Sequence, residues 1–541
     1  MATAGSKLTV VHLNETDSSQ GTARTATPMH TNGTDSCGDV RLFMEDPASA
    51  TAYNPLNSVT WYSFLAFFLP VLLFLLHRHF THNKLNYLPP PGPKPWPLIG
   101  NLNLMGQLPH VSLQSLSQIY GPLMQLKFGL DTVVVGSSAQ VAELILKTHD
   151  TSFASRPALL AGKHANYNYS VLATAPYGPY WRQARKIYIT ELLNPKRLAE
   201  FEYMRVEERK AFLCKLYKSS SNSSMPIHLR DRLYMLTLAI MSRMLLGKRY
   251  RGCNSMAFFL RFTRNVKRMK AVKKKADKFY EHVLDDHEHH ARRKWVKEHG
   301  AKDMVDVLLQ LADDPSLEVK LERDHIKASI QDLLLAGIDT SSIIIEWAMT
   351  ELLKKPEVIQ KATKELDTVI GRNKWVEEKD IANLPYVQAI VKEVMRLHPA
   401  ATLLVPRLAR ENCKLDGYDI IKNSRVIINV WAIGRDPTIW EKPDEFCPER
   451  FIGKEIDVVG HNFELLPFGA GRRMCAGYAL GLKTVQSTLA NLLHGFEWKL
   501  PGDVKKEDLD MEERFGLTTS KKNLLLVIPN KPRLPLHLYS L

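Results

Sequence analysis

The sequence predicts a mainly α-helical protein with a small β part, built as one large domain behind an apolar amino-terminal helix. Three observations support this fold class. Apolar residues recur at helical spacing through most of the chain beyond residue 98. Two short runs, residues 132–135 and 425–430, are rich in the β-branched residues that favour strands. Residues 59–76 form an apolar segment without a charge.

The composition places the chain among ordinary globular proteins. A length of 541 residues provides a full hydrophobic core, and 45% apolar with 24% charged residues excludes a disordered or collagen-like protein. The formal net charge of +15 suits a nucleic acid, an anionic membrane face or an acidic partner. Six cysteines are present and none forms a C-x-x-C pair, which argues against a zinc ribbon or a dense disulfide scaffold.

The amino-terminal part divides into three segments. Residues 1–58 are polar and carry a net negative charge, so we expect a lumenal or disordered tail with glycosylation sequons at Asn14 and Asn32. Residues 59–76 are long enough to cross an endoplasmic reticulum bilayer of about 27 Å as one helix. Residues 77–97 form a basic flank and a proline-rich hinge. Because the basic flank follows the apolar segment, the remainder is predicted to be cytoplasmic.

The proline-rich hinge has two interpretations. Successive prolines between residues 88 and 97 forbid a helix and favour a stiff spacer, while a ligand for a proline-recognising domain is the alternative. Residues 98–541 then form a single domain, since no repeat or low-complexity linker interrupts them.

Two charged segments are ambiguous. The basic run at residues 267–278 resembles a nucleic-acid patch, but its apolar residues recur at nearly helical spacing, so we expect a solvated helix and no nucleic acid. The histidines at residues 287–290, like those at 77–82, lack the H-E-x-x-H spacing of a metal site. Both groups are interpreted as solvated flanks.

The most informative stretch surrounds Cys475. Glycines at 469, 471 and 477 allow the backbone to turn tightly around the sulfur and to approach a flat cofactor closely. Arg472, Arg473 and the start of a following helix would stabilise a thiolate, the form that binds metal. A buried inert cysteine is the alternative. A dinucleotide-binding loop is excluded because Met474 occupies the third glycine position.

Four motifs together resemble those of the cytochrome P-450 monooxygenases, a haem-thiolate family. The stretch Phe468-x-x-Gly471-x-Arg473-x-Cys475-x-Gly477 resembles the cysteine signature of that family. Residues 336–341, 393–396 and 448–451 resemble its oxygen-activating segment, its ExxR motif and its PERF motif, in the same order along the chain. The resemblance covers roughly residues 85–541 and is strongest with plant microsomal members of specialised metabolism.

The resemblance implies a haem b cofactor with Cys475 as the axial thiolate ligand of the iron. Thr340 and Asp339 would relay protons to iron-bound oxygen. Glu393, Arg396 and Arg450 would form a buried charge network behind the haem. A surface ion pair between Glu393 and Arg396, or a Thr340 hydroxyl bonded back to its own helix, are the ordinary alternatives. Seven residues are implied to hold the haem: Trp181, Arg185, Arg407, Phe468, Gly471, Arg473 and Gly477.

The activity implied is insertion of one oxygen atom from O2 into a small lipophilic substrate of the flavonoid, phenylpropanoid or terpenoid class. The chain contains no flavin or nicotinamide domain, so the electrons would come from a flavoprotein NADPH-dependent cytochrome reductase at the endoplasmic reticulum membrane. Two alternatives stay open. One is a reductase-independent lyase or isomerase. The other is a silent haem protein, because the region near residues 253–266 is shorter than in similar chains.

Overall fold

The computed structural model describes residues 55–81, 87–222, 226–250, 266–502 and 504–540. The chain forms two compact units, Met1–Lys84 and Leu85–Leu541. Most of the predicted polar tail, both sequons and residues 253–265 of the shortened region lie outside the described residues. Their predictions therefore stay predictions.

The described part of the first unit is one long helix. Helix α1 spans Pro55–Thr81 and contains Pro70, and the side chains of Leu65–Leu76 are exposed. Helix formation across residues 59–76 is confirmed. Its passage through a membrane remains a prediction based on length and apolar character.

The second unit is mainly helical, as predicted. Its longest helix, Arg323–Lys354, is numbered α12. The other α-helices of the described residues are α2 Pro109–Tyr120, α3 Ala139–Glu143, α4 Leu160–His164, α5 Pro179–Ile187, α6 Pro195–Glu200, α7 Glu202–Asn222, α8 Leu229–Leu246, α9 Val266–Glu288, α10 His290–His299, α11 Met304–Ala312, α13 Pro356–Val369, α14 Pro385–Leu397, α15 Val430–Ile433 and α16 Tyr478–Gly495.

The β part consists of short strands in small sheets. The largest sheet of the described residues has four strands, in the order β1 Leu123–Phe128, β2 Asp131–Gly136, β7 Arg425–Ile428 and β4 Arg407–Leu408. Strands β2 and β7 are parallel, and the outer pairs are antiparallel. The predicted run at residues 132–135 lies in β2, and residues 425–428 of the second run form β7, which pairs with it. The last two residues of the second run, Asn429 and Val430, instead cap and begin a short helix. The strands are β1 Leu123–Phe128, β2 Asp131–Gly136, β3 Ile227–His228, β4 Arg407–Leu408, β5 Cys413–Leu415, β6 Tyr418–Ile420, β7 Arg425–Ile428, β8 Phe496–Lys499, β9 Glu513–Arg514, β10 Ser520–Lys521 and β11 Leu526–Pro532.

The proline-rich hinge is extended, as predicted, but much of it belongs to the second unit rather than to a free spacer. The carbonyl of Pro91 accepts a hydrogen bond from Gln125 of β1 at 2.9 Å, and Leu88 bonds to Asp419 of β6 at 2.7 and 3.0 Å. A Cβ on Gly92 would lie 2.0 Å from the Gln125 carbonyl oxygen, so this close approach requires glycine. The predicted boundary at residue 98 is accordingly about a dozen residues late.

Helix α12 crosses the middle of the second unit. Its length and composition would suffice to span a membrane, but 72% of its most apolar window is buried in the core. It packs against α8, where Thr237 donates a hydrogen bond to the Ile338 carbonyl at 3.0 Å. A Cβ on Gly337 would lie 2.6 Å from the Met241 sulfur. Glycine thus permits the close packing that places the next turn of α12 beside a cavity.

Candidate active site

Cys475 lies between a short 3-10 turn, Gly471–Arg473, and the first turn of α16. Its N–H donates to the Phe468 carbonyl at 2.9 Å, which closes the loop around the sulfur. Gly471 has a φ of +68°, and a Cβ there would lie 2.1 Å from the Leu146 carbonyl oxygen. This backbone path therefore depends on glycine at position 471.

The surroundings of Cys475 act on its ionisation in opposite directions. Burial is the largest effect and raises the pKa of the thiol above its usual value, and the Gly477 N–H and the positive charge of Arg185 offset it only in part. The side chain lies deep in the protein, yet it has accessible surface. That surface faces an internal cavity, so the sulfur is available to a group bound inside the protein.

The cavity has a volume of about 330 Å³ and is walled mainly by apolar side chains. Of the four cysteines with a described environment, Cys475 alone lines it. Thr340 of α12 also lines it. The other predicted site residues on the wall are Trp181, Arg185, Arg407, Phe468, Arg473 and Gly477. Gly471 itself shapes the cysteine loop, and Asp339 is not on the wall.

A buried charge network lies at the end of α14, as the ExxR and PERF resemblance implies. Glu393 and Arg396 form a two-pronged ion pair with both nitrogen–oxygen distances at 2.7 Å, and Glu393 also accepts from Arg450 at 3.0 Å. Glu393 and Arg396 are 0% and 1% exposed. Further Arg396 donors reach backbone carbonyls, including that of Pro443 at 2.6 Å. The alternative of a surface pair is wrong because both side chains lie in the core.

Four arginines converge on the cavity, and burial lowers the pKa of each. Arg407 is paired with Asp150 at 2.7 Å. Arg473 donates to three backbone carbonyls and lies 4.2 Å from the centre of the Trp181 ring. Burial, followed by the neighbouring charges of Arg407 and Arg185, lowers the pKa of Arg473 to about 9. The excess of positive charge favours an anion at this wall.

Among the described residues, two donors of the cavity wall lack a protein partner. The indole Nε1 of Trp181 is buried without a hydrogen bond. Arg185, one turn further along α5, makes no hydrogen bond or ion pair within the described ranges. Leaving a buried donor unpaired is costly, so a bound group with acceptor oxygens would remove that cost. A flat cofactor that bears carboxylates and binds through sulfur fits these donors and Cys475 together.

The predicted acid–alcohol pair is divided between two environments. Thr340 faces the cavity, and its hydroxyl donates to the Ala336 carbonyl at 2.6 Å, as the ordinary alternative expects. A hydroxyl that donates in this way still has lone pairs to accept a proton. Asp339 accepts a hydrogen bond from Thr518 at 2.7 Å. Thr340 thus faces the cavity, whereas Asp339 is bonded to the carboxy-terminal hairpin.

Sequence reasoning missed two charged residues of the cavity wall. Asp332 is held by Tyr188 and by the N–H groups of Leu172 and Ala173, and burial raises its pKa to about 7. The available signal was its spacing, because eight residues before Thr340 is about two helical turns on the same face. Arg156 donates to the Ala173 carbonyl at 2.9 Å and gave no comparable signal.

One histidine from the run at residues 287–290 lies in a buried polar cluster. His287 is 3.0 Å from Asp303, and Asp306 lies close enough to be a third side chain able to ligate a metal. The guanidinium of Arg292, however, bonds to Asp303 and, at 2.9 Å, to Asp306. Since this cation already balances the carboxylates, the cluster is an ion-pair network that ties α9 to α11.

A buried apolar cavity that presents one cysteine sulfur and surplus positive charge has the chemistry of a haem-thiolate site. Comparison with known proteins agrees. The family model described as Cytochrome P450 matches residues 90–267 and 253–527. A zebra fish cytochrome P450 structure with abiraterone has a TM-score of 0.70 at 24% identity, and it aligns over 79% of this chain and 100% of its own. That similarity establishes the fold.

Plant relatives are closer in sequence. A trimethyltridecatetraene synthase of Zea mays is 42% identical, with 83% of this chain and 90% of the relative covered. A 4-hydroxyphenylacetaldehyde oxime monooxygenase of Sorghum bicolor is 40% identical, with coverage of 87% and 96%. A flavonoid 3'-monooxygenase of Arabidopsis thaliana is 39% identical, with coverage of 88% and 99%.

This chain belongs to the cytochrome P450 family. It is therefore an oxygen-incorporating oxidoreductase that uses haem bound through a cysteine thiolate. The predictions of family, fold class, enzyme class and cofactor are confirmed.

Proposed function

We propose that the chain is a membrane-anchored monooxygenase of plant specialised metabolism, with Cys475 as the axial ligand of haem b iron. One observation carries the proposal: among the described cysteines, Cys475 alone reaches the cavity, where Thr340 lies on α12 and unpaired donors lie on α5. Haem bound through a thiolate supplies the activation of O2, because electron donation from sulfur favours cleavage of the O–O bond.

Two features around the cysteine would partly offset the burial that raises the pKa of its thiol. The Gly477 N–H and the start of α16 favour the thiolate over the thiol. Trp181 and Arg185 would bind the two haem carboxylates through the donors that the protein leaves unpaired. Arg407 and Arg473 already have protein partners, so their contribution would be a positive field together with any remaining donors.

The acid–alcohol pair would manage protons on the other side of the cavity. Thr340 can accept a proton on its hydroxyl oxygen while it donates to the Ala336 carbonyl. Asp339 is the adjacent carboxylate and would replenish that proton. Relatives that carry out reductase-independent rearrangements need no such supply, so this pair favours a monooxygenase over a lyase or isomerase.

The substrate would be small and lipophilic. Leu172, Leu333 and Ile344 belong to the apolar wall and would exclude water, while Asp332 and Thr237 offer a few polar contacts. The relatives include a flavonoid 3'-monooxygenase and an oxime monooxygenase. We accordingly propose a flavonoid, phenylpropanoid or terpenoid substrate.

The test of the iron ligand is the carbon monoxide difference spectrum of the reduced, membrane-expressed protein. The wild type should show the thiolate-ligated Soret band, and Cys475→Ser should lose it. Cys413→Ser is the matched control because Cys413 lies in β5 away from the cavity. A wild type without the thiolate band would mean a silent haem protein, and a band retained by Cys475→Ser would refute the ligand assignment.

Electrons would come from a flavoprotein NADPH-dependent cytochrome reductase that docks near the cysteine loop. Arg472 and Lys483 flank that loop with side chains 48% and 42% exposed. Charge reversal at Lys483 should raise the KM for reductase and leave the carbon monoxide spectrum unchanged. Turnover of candidate substrates without any reductase would instead support a lyase or isomerase.

The membrane anchor would be α1, in the endoplasmic reticulum, with the catalytic domain cytoplasmic. The exposed apolar side chains of Leu65–Leu76 and the basic residues after them support this orientation. In microsomes, external protease should digest the catalytic domain and spare an amino-terminal tag. Digestion of both, or release of the protein by alkaline carbonate, would contradict the proposal.

A further inference from the structure

The carboxylate of Asp339 is bound by a residue far away in sequence. The hydroxyl of Thr518 donates to Asp339 Oδ2 at 2.7 Å, and the two residues are 179 positions apart. Thr518 lies in the tip that joins β9 to β10 near the carboxy terminus. A hydrogen bond to a charged acceptor is stronger than one between neutral groups. The hairpin tip therefore fixes where this carboxylate points.

The hairpin that carries Thr518 is anchored by contacts that do not involve Asp339. Glu513 at its base is 2.7 Å from the His110 ring nitrogen. The N–H of Thr519 donates to the Ala400 carbonyl at 2.8 Å, and its hydroxyl lies 3.0 Å from that of Thr402. These anchors come from α2 and from the segment after α14. The position of Thr518 is thus set by the fold and not by the carboxylate that it binds.

Lys521 adds a further anchor on the opposite side of the hairpin. Its side chain is 2% exposed, and its ammonium lies 4.8 Å from the centre of the Trp347 ring on α12. The hairpin therefore packs against the same helix that carries Asp339 and Thr340. Loss of the Thr518 hydroxyl would leave these contacts in place and would free one carboxylate.

Adjacent residues on a helix point about 100° apart, so Thr340 and Asp339 cannot both face the cavity in the same way. The structure shows Thr340 on the wall and Asp339 turned to the hairpin. A proton delivered to the Thr340 oxygen has to come from a group whose orientation is defined. The partner of Asp339 decides how often its carboxylate takes up each orientation.

We propose that Thr518 is a positioning residue that holds the Asp339 carboxylate and so sets the efficiency of proton delivery through the acid–alcohol pair. This inference rests on the proposed monooxygenase function. Thr518 is not among the described residues that line the cavity. Its effect on the reaction passes entirely through Asp339.

The test compares Thr518→Val, which keeps the shape of the side chain and removes its hydroxyl, with Thr518→Ser, which keeps the hydroxyl. Ser520→Ala is the matched control, because it removes a buried hydroxyl of the same hairpin whose one bond among the described residues is to the adjacent Lys521 carbonyl at 3.2 Å. The measurement is product formed per NADPH consumed with purified reductase. Thr518→Val should lower this ratio about tenfold, with KM unchanged, while Thr518→Ser restores it.

Thermal unfolding of the same proteins gives a readout that is independent of turnover. Thr518→Val and Asp339→Ala should each lower the midpoint, and the double variant should fall no further than the larger single effect, since both remove the same hydrogen bond. Additive shifts would show that the two residues do not interact in solution and would overturn the inference.

Asp339→Asn separates this inference from the proposed function. If Asp339→Asn loses coupling and Thr518→Val keeps it, the acid–alcohol relay stands and the positioning role falls. If Asp339→Asn is fully coupled, the relay itself falls and the inference with it. A loss in Thr518→Val that persists at full size in the Asp339→Asn background would show that Thr518 acts by another route.

Discussion

Two clusters of arginines in this protein differ in how completely the chain balances them. In the network at the end of α14, Glu393 binds Arg396 and Arg450 directly, and backbone carbonyls take up other donors. At the cavity wall, Arg407 has Asp150, but Arg185 and the Trp181 N–H have no partner among the described residues. The first cluster is complete within the polypeptide. The second requires a ligand, which is how a binding site differs from a structural ion pair.

The largest expected effect comes from breaking the complete network. Glu393→Gln removes the carboxylate charge that balances the guanidinium groups of Arg396 and Arg450. Loss of one partner of a buried ion pair lowers the free energy of unfolding by about 3–5 kcal/mol. We expect little carbon monoxide-binding protein and a much lower urea midpoint. Glu143→Gln removes one partner of the exposed pair with Lys147 and should change the free energy of unfolding by less than about 1 kcal/mol. Equal effects of the two substitutions would show that burial does not govern the network.

A substitution in the incomplete cluster should lower haem affinity without lowering the stability of the apoprotein. Arg185→Met removes a half-buried cation that has no partner among the described residues, so haem affinity should fall about tenfold to hundredfold while the apoprotein is no less stable. Haem titration and urea unfolding of the apoprotein measure the two quantities. Arg182→Met, on the exposed side of the same helix, is the control. A destabilised Arg185→Met apoprotein would mean that Arg185 is structural.

Asp332 gives the cavity wall a pH dependence. Because burial raises its pKa to about 7, the folded protein binds this proton more tightly than the unfolded chain does. Its stability should therefore fall as the pH rises from about 4 through about 7. Asp332→Asn cannot ionise and should exceed the wild type by about 1–3 kcal/mol above pH 7.

Urea unfolding at pH 5 and pH 8 tests this expectation. Asp324→Asn, at an exposed position of the same helix, should not show the gain in stability over the wild type at pH 8 that is expected for Asp332→Asn. Wild-type and Asp332→Asn curves that remain parallel between these pH values would show that Asp332 ionises normally.

The smallest expected effect concerns the unpaired indole. Trp181→Phe keeps a ring beneath Arg473 and removes only the Nε1 donor. A single neutral donor contributes about 1 kcal/mol, so haem affinity should fall several-fold, less than for Arg185→Met. A loss larger than that of Arg185→Met would reverse the order of the two donors at the cavity.

The site shows how far local pattern could predict geometry. Glu393 and Arg396 are three residues apart, so their contact on one helical face follows from spacing alone. Trp181 and Arg185 are four residues apart, so their common helical face also follows from spacing, and the family resemblance indicates that this face meets the cofactor. Asp332 was missed even though its spacing from Thr340 was visible, because no local pattern shows which face of a buried helix meets a cavity.

The hinge and the acid–alcohol pair show the opposite case. Prolines predicted an extended segment, but only the folded chain shows Pro91 and Leu88 bonded to strands of the second unit. Adjacent Asp339 and Thr340 predicted a joint role, yet their side chains meet different parts of the fold. The deciding partner, Thr518, is 179 residues away and carries no motif of its own.

The sequence by itself determined the helical class, the apolar amino-terminal helix, the family and the identity of the cysteine most suited to bind iron, because each depends on periodicity or on residues close together in the chain. Only the tertiary structure decided which arginines are balanced, which donors stay unpaired and which residue holds Asp339. Those properties depend on contacts between distant segments, and their energies come from burial, which a linear pattern does not specify.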